Sequence, residues 1–170
     1  IVAADFKFVR VDGIVKSKTS ELLNEISYLP QDNFIPNSFS IKKTILLSIA
    51  KEKLQDFYAD EMIQSMLDKK IKHLSGGELR YLVIKLILNN ASKFVLLDEP
   101  YNGLSPIMIE KINELITEMS SVKGIIITDH NYENVIKVST KLALMKEGKM
   151  HHLKDKSELV EKGYLKSGMI

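Results

Sequence analysis

The stretch from Leu74 to Pro100 constrains this chain more than any other. It opens Leu74-Ser75-Gly76-Gly77-Glu78, continues with Leu79, Leu82, Val83, Leu86 and Ile87 at helical spacing, and closes Phe94-Val95-Leu96-Leu97-Asp98-Glu99-Pro100. Ser75 is an N-cap, Glu78 three residues on completes a capping box, and Asn89-Asn90 ends the helix. Two glycines in the first turn cost about 1 kcal/mol each against alanine, so a purely structural start has little use for them. Glycine there lets something approach the backbone closely, and bare amides at a helix N-terminus suit an anion. The run Phe94–Leu97 is wholly apolar, as expected of a strand buried in a parallel sheet, and it delivers two acids to its carboxyl end.

The flanks divide by periodicity. Phe8–Val11 reads as a short strand, Asp12-Gly13 as a turn, and Ile14 and Val15 as the strand's return. Lys16–Ser20 reads as polar connector, Glu25–Leu29 as another strand ended by Pro30, and Gln31-Asp32-Asn33 as a loop. From Ser40 to Lys72 the pattern is helical, with Ile41, Ile45 and Ile49 in one stripe and Met62, Ile63, Met66 and Leu67 in a second. Phe57, Tyr58 and the methionines of this insert are expected to be core, a fraction of them facing a partner.

Beyond Pro100 the chain turns at Tyr101-Asn102-Gly103, and Ser105 and Pro106 start a helix with Met108, Ile112, Leu115, Ile116 and Met119 inward. A buried strand, Gly124–Thr128, ends at Asp129-His130. Helix is expected over Asn134–Val138, strand over Leu142–Met145, a turn at Glu147-Gly148 into Lys149-Met150-His151, and a last amphipathic piece over Lys156–Glu161. Strand and helix alternate from residue 94 onward, which predicts a mostly parallel α/β sheet.

Composition removes several classes. A chain of 170 residues, 45% hydrophobic, supports one well-buried domain. A formal net charge of +2 argues for neither nucleic acid nor an anionic membrane as partner. Absence of cysteine removes disulfides, thiolate metal sites and thiol nucleophiles. No apolar run approaches the roughly 20 residues of a membrane-spanning helix, so direct insertion is not expected. No signal-peptide pattern opens the chain, and its start at Ile1 reads as the interior of a longer protein.

In open α/β sheets, ligands bind beyond the carboxyl ends of the strands, where Asp98-Glu99 and Asp129-His130 both fall. Asp98 can hold a Mg²⁺ that bridges phosphates, and Glu99 can orient or deprotonate a water for in-line attack. Paired acids at a strand end can also merely cap and turn a chain; the apolar run ahead and Pro100 behind favour chemistry. A neutral His130 can hydrogen-bond a γ-phosphate or an attacking water. His73 approaches the glycine turn, and His151 and His152 would point to opposite faces of a strand. None has the spacing of a structural metal site.

The order Gln31, Leu74-Ser75-Gly76-Gly77-Glu78, Phe94 through Pro100, then His130 resembles the ATP-binding cassette (ABC) ATPase family, over almost the whole chain. The resemblance implies a P-loop NTPase-like core of mostly parallel sheet over residues 1–32 and 76–170, with a helical subdomain over 33–75. It implies that Tyr28-Leu29-Pro30-Gln31 is the glutamine loop, sensing Mg²⁺ and coupling to a transmembrane permease. Ser75, Gly76 and Gly77 become the signature that binds the γ-phosphate of ATP held by a second ATPase subunit. Asp98 becomes the Walker B magnesium ligand, Glu99 the catalytic carboxylate and His130 the switch histidine, with ATP and Mg²⁺ as cofactors. The protein is then expected as a homodimer on the cytoplasmic face of a membrane.

Two departures stand out. Asn102-Gly103-Leu104-Ser105 carries Ser105 where the family usually has aspartate, which bears on communication between paired sites. No G-x-x-x-x-G-K-[ST] occurs, so the β- and γ-phosphates lack their backbone cradle and lysine, and the adenine-stacking aromatic is also missing. Both are expected upstream of Ile1, and the 170 residues alone are expected to be inactive. Two other readings remain: a soluble ABC-type ATPase not linked to transport, and a non-catalytic cassette lacking a phosphate loop. Thr128-Asp129-His130-Asn131 is similar to the same stretch in cassettes of lipopolysaccharide export and branched-chain amino-acid uptake, which leaves cargo and direction open.

Overall fold

Ser75 caps a 14-residue helix, Gly76–Asn89, that is buried from Tyr81 to Leu88 and packs on the strands Ile26–Leu29 and Phe94–Asp98 and on the helix Pro106–Met119. The computed structural model describes residues 9–16, 18–22, 25–166 and 168, with backbone alone at 19 and 20. Phe8, where the first expected strand begins, and Ser17, inside the expected connector, lie outside that set. The chain forms two compact units, residues 1–130 and 131–170.

The first unit opens with a hairpin of β1 (Val9–Val11) and β2 (Ile14–Lys16). Its two-residue turn places Asp12 and Gly13 at positive φ, the geometry that suits tightly joined antiparallel strands. The expected connector Lys16–Ser20 is instead divided between the end of β2 and a helical turn, α1 (Thr19–Leu22). β3 (Ile26–Leu29) follows.

The insert is helical but broken. α2 (Ile41–Ser48) is capped by Ser40 and ends where Ile49 turns extended. A 3-10 turn (Lys51–Lys53), α3 (Leu54–Tyr58), α4 (Glu61–Met66) and a second 3-10 turn (Ile71–His73) follow. Asp60 restarts the helix at α4 by accepting hydrogen bonds from the amides of Met62 and Ile63. Ile41, Ile45, Ile49, Phe57, Ile63 and Met66 are buried as expected, whereas Tyr58, Met62 and Leu67 are half-buried.

α5 (Gly76–Asn89) is buried continuously from Tyr81 to Leu88, more than the predicted stripe, because it packs on both the sheet and the helix Pro106–Met119. The lysine inside this apolar run, Lys85, is bound to the Asp60 carboxylate, which also accepts from the Tyr81 hydroxyl. β4 (Phe94–Asp98) leads to α6 (Pro106–Met119), and β5 (Gly124–Thr128) completes a parallel sheet of order β3-β4-β5. Register pairs Leu29 with Leu97 and Asp98 with Thr128, so the three carboxyl ends lie nearly level. β5 was expected to be buried, yet Gly124, Ile126 and Thr128 are exposed. Among the described residues it pairs on one side only, with β4.

The second unit holds α7 (Tyr132–Val138), β6 (Leu142–Lys146), β7 (Lys149–Leu153) and α8 (Glu158–Glu161). Strand–helix alternation stops here: β6 and β7 form an antiparallel pair about the turn expected at Glu147-Gly148. Glu147 and Gly148, both at positive φ, join them in two residues, and so short a link permits no parallel crossover. Leu144, Leu159 and Leu165 form a small core with Tyr132, Ile136, Leu153 and Val160 against it.

Candidate functional site

The carboxyl ends of β4 and β5 carry the predicted acids and histidine to one rim. Thr128 donates its hydroxyl to Asp98 Oδ1 at 2.7 Å, and the Tyr28 hydroxyl donates to Asp98 Oδ2 at 3.1 Å. Both oxygens of the Asp98 carboxylate are thereby oriented by neutral donors, which leaves it lone pairs for a cation. That hydrogen bond raises the pKa of the Tyr28 phenol, with desolvation and the Asp98 charge adding to it.

Glu99 sits at φ 46, in the left-handed region that non-glycine residues rarely occupy. Backbone bonds hold it there: its N–H donates to Thr128 O at 2.7 Å, and its carbonyl accepts from the Asn102 amide at 3.3 Å. The bend turns its carboxylate toward His130, with 3.8 Å between Glu99 Oε1 and His130 Nδ1. The side chains of His130 and Glu99 are 75% and 35% exposed, so solvent reaches both. Asp129, whose side chain is 1% exposed, lies 3.8 Å from the same ring nitrogen and accepts the Tyr101 amide at 3.2 Å. It ties the loop after β4 to the end of β5.

The start of α5, where an anion is expected to bind, is a capping box. Ser75 Oγ accepts from the Glu78 amide at 3.2 Å, while the Ser75 amide donates to Glu78 Oε2 at 2.8 Å. Lys69 binds the other Glu78 oxygen at 2.8 Å and helps hold its pKa below the ordinary carboxylate value. The two glycines have different surroundings. A Cβ on Gly77 would stand 2.9 Å from Met108 Sδ of α6, so close internal packing already explains that glycine. A Cβ on Gly76 would meet nothing within 4 Å, so its side is open. Gln31 and Gly76 line the same small cleft, together with Pro30 and Arg80.

Arg80 is a residue that sequence reasoning missed. Its Nη1 donates to Pro30 O at 2.7 Å, and its Nη2 donates to Asp98 O at 2.6 Å and to Glu99 O at 2.9 Å. Burial lowers the guanidinium's pKa, opposed by the charges of Asp98, Asp129 and Glu99. One signal was present: a cation in the second turn of a helix faces the positive end of the helix dipole, and so calls for specific acceptors. Tyr28 and Thr128 were also missed, because a hydroxyl partner for Asp98 is visible only once the strands are in register.

The donor set fits Mg²⁺ bound with a nucleotide better than a resident metal cage. Among the described residues no group of three or more His, Asp or Glu side chains could hold an ion. Mg²⁺ commonly takes one or two protein oxygens and fills its octahedron with phosphate and water, a demand that the carboxylate of Asp98 can meet.

A family model described as ABC transporter matches residues 8–102, more than half of the chain. The chain is 29% identical over 146 residues to a lipopolysaccharide export system ATP-binding protein of Acidithiobacillus ferridurans, covering 80% of this chain and 61% of that protein. It is 32% identical over 130 residues to a phosphate import ATP-binding protein of Thermotoga maritima, covering 76% and 52%. The chain thus spans little more than half the length of these curated relatives. Its backbone is similar to a solved ATP-binding subunit of an ABC transporter, with a TM-score of 0.70 at 14% identity over 92% of this chain and 70% of the other.

Proposed function

This chain belongs to the ABC transporter family, and on that premise we propose that it serves as an ATP-binding and ATP-hydrolysing subunit that powers transport across a membrane. The observation that carries the reading is the rim where Glu99 and His130 stand 3.8 Å apart, beside an Asp98 carboxylate oriented from two sides. Asp98 and Gln31 would hold Mg²⁺, which when bound supplies charge to neutralise phosphate oxygens. Glu99 orients the attacking water or accepts its proton, and the imidazole of His130 hydrogen-bonds that water or the γ-phosphate. The exposure of both side chains admits the water.

The start of α5 acts on a different nucleotide. Gly76 is open outward, and the Ser75 hydroxyl, an acceptor within its own cap, still has a proton to donate. Both suit the γ-phosphate of ATP held by a second subunit, so the working unit is a head-to-tail pair of cassettes. Residues 33–75 serve as the helical subdomain that meets a transmembrane permease. Supporting this, a groove of about 420 Å³ lies between that segment and the sheet, lined by Tyr28, Phe34, Ile35, Leu86 and Ile87. Phe34 at its edge is 59% exposed. No helix among the described residues is long and apolar enough to cross a membrane, and in this reading the subunit sits at the cytoplasmic face by docking on that permease.

The test is Mg²⁺-dependent ATP turnover by the 170-residue chain alone, and by the chain fused behind a strand and loop carrying G-x-x-x-x-G-K-[ST]. The chain alone is expected to turn over essentially no ATP, since no such phosphate cradle occurs within it. The fusion is expected to hydrolyse ATP and to lose that activity with Glu99→Gln. Robust turnover by the chain alone, or a folded fusion indifferent to Glu99→Gln, overturns the reading.

A further inference from the structure

Arg80 reaches from α5 to the carboxyl ends of both β3 and β4. Its two terminal nitrogens reach three carbonyls: Pro30, immediately before Gln31, and the consecutive Asp98 and Glu99. These belong to the ends of two neighbouring parallel strands, β3 and β4. The guanidinium is suited to this because its donors are fixed in a plane, so a shift of one contact is delivered to the others. Its Nε is buried without a hydrogen-bond partner. A side chain kept for packing alone would not carry a buried charged group with an idle donor, so the site retains arginine for what its other nitrogens hold.

The base of Arg80 is as firmly placed as its head. Residue 80 lies four positions after Gly76, on the same face of α5, and the capping box fixes the first turn. Gly76 and Arg80 line one cleft with Gln31. At the other end, Glu99 is held in left-handed backbone by three bonds, of which the bond from Arg80 is the one contributed by a side chain.

We propose that Arg80 is a positioning residue that couples the phosphate-facing first turn of α5 to Gln31 and Glu99 of the same subunit. An anion seated at Gly76 shifts the first turn, and Arg80 transmits the shift to the carbonyls that set the Gln31 loop and the bend at Glu99. A nucleotide held by one subunit thereby adjusts the hydrolytic carboxylate of the other. The inference rests on the ATPase reading for its meaning, and on Arg80 geometry alone for its structural content.

Amide hydrogen exchange of the 170-residue chain, compared with Arg80→Gln and Arg80→Lys, tests the structural content without any turnover. In Arg80→Gln the amides of Glu99 and Asn102 are expected to exchange about tenfold faster or more, with Leu96 and Leu97 unchanged and the melt still cooperative. Arg80→Lys, which keeps the charge but not the fork, is expected to restore part of the protection. In the phosphate-loop fusion, Arg80→Gln should lower kcat about tenfold with little change in KM for ATP. Unchanged protection at Glu99 overturns the proposal, and so does protection lost evenly along β4. If Arg80→Gln does not fold, Arg80→Lys decides: selective loss at Glu99 and Asn102 upholds the coupling, and full protection ends it. An inactive unsubstituted fusion counts against the hydrolytic reading only, because the exchange result stands apart from it.

Discussion

Gly76 and Gly77 are neighbours of one residue type, and their surroundings separate them. Gly77 leaves room for Met108 Sδ, while Gly76 faces open space. Gly76→Ala should therefore raise the free energy of unfolding by about 0.5–1 kcal/mol, the ordinary gain of replacing glycine in a helix. Gly77→Ala should show little or none of that gain, since its Cβ presses on Met108; urea denaturation of the two variants checks the difference. If signature chemistry resides at Gly76, the stabilised Gly76→Ala variant of the fusion loses turnover all the same. The glycines, the acid pair and His130 were legible in the sequence because each follows a recognisable start or end of an element. Arg80 was not, because its three acceptors are carbonyls, which every residue has, and only folding selects among them.

α5 is fastened at both ends, and its far end carries a titration. Lys53 Nζ donates to Asn89 O at 3.4 Å, and Lys123 Nζ donates to Asn90 O at 2.5 Å, so two cations meet the negative end of the helix. Burial, and then the charge of Lys53, push the Lys123 amine down to about 8. Its folded value lies below its ordinary value of 10.5, so between pH 8 and 10.5 the unfolded chain binds more protons than the folded one. Stability contributed by this group therefore rises with pH across that window. Urea unfolding at pH 7.5 and 9.5 should show a rise for the natural chain that is smaller in Lys123→Met. At this scale the capping box and the buried strand were legible, since both depend on local pattern. The break of the insert at Ile49 and the exposure of β5 were not, because they depend on neighbours far along the chain.

Across the first unit, the helical insert is joined to α5 by a polar contact inside an apolar core. Lys85 and Tyr81 both bind Asp60 Oδ2, with the Lys85 side chain 8% and the Asp60 side chain 12% exposed. Burial raises the Asp60 pKa, but hydrogen bonds from Lys85, Tyr81 and the Ile63 amide together outweigh it and hold the carboxyl below its ordinary value. The stability it contributes is present above the unfolded carboxylate value near 3.8 and is lost as pH falls through the lower folded value. Lys85→Met leaves a buried carboxylate with the Tyr81 hydroxyl and backbone amides as its partners. It should cost about 3 kcal/mol in chemical denaturation near neutral pH, and that cost should shrink in acid as the Asp60 carboxyl takes up a proton. Asp60→Asn with Lys85→Met should recover part of that loss, because no unpaired charge remains buried.

Local pattern by itself determined where α5, β4, α6 and β5 begin and end, and that two acids and an imidazole arrive at strand termini. Those features follow from the period of a helix, the apolarity of a buried strand and the chemistry of caps, all contained within a few consecutive residues. Only the tertiary structure decided that Tyr28 and Thr128 clasp Asp98 and that Arg80 joins Pro30 to Glu99. The physical reason is that such contacts depend on register and packing between segments up to 70 residues apart, as Tyr28 and Asp98 are. No local window of sequence contains that information.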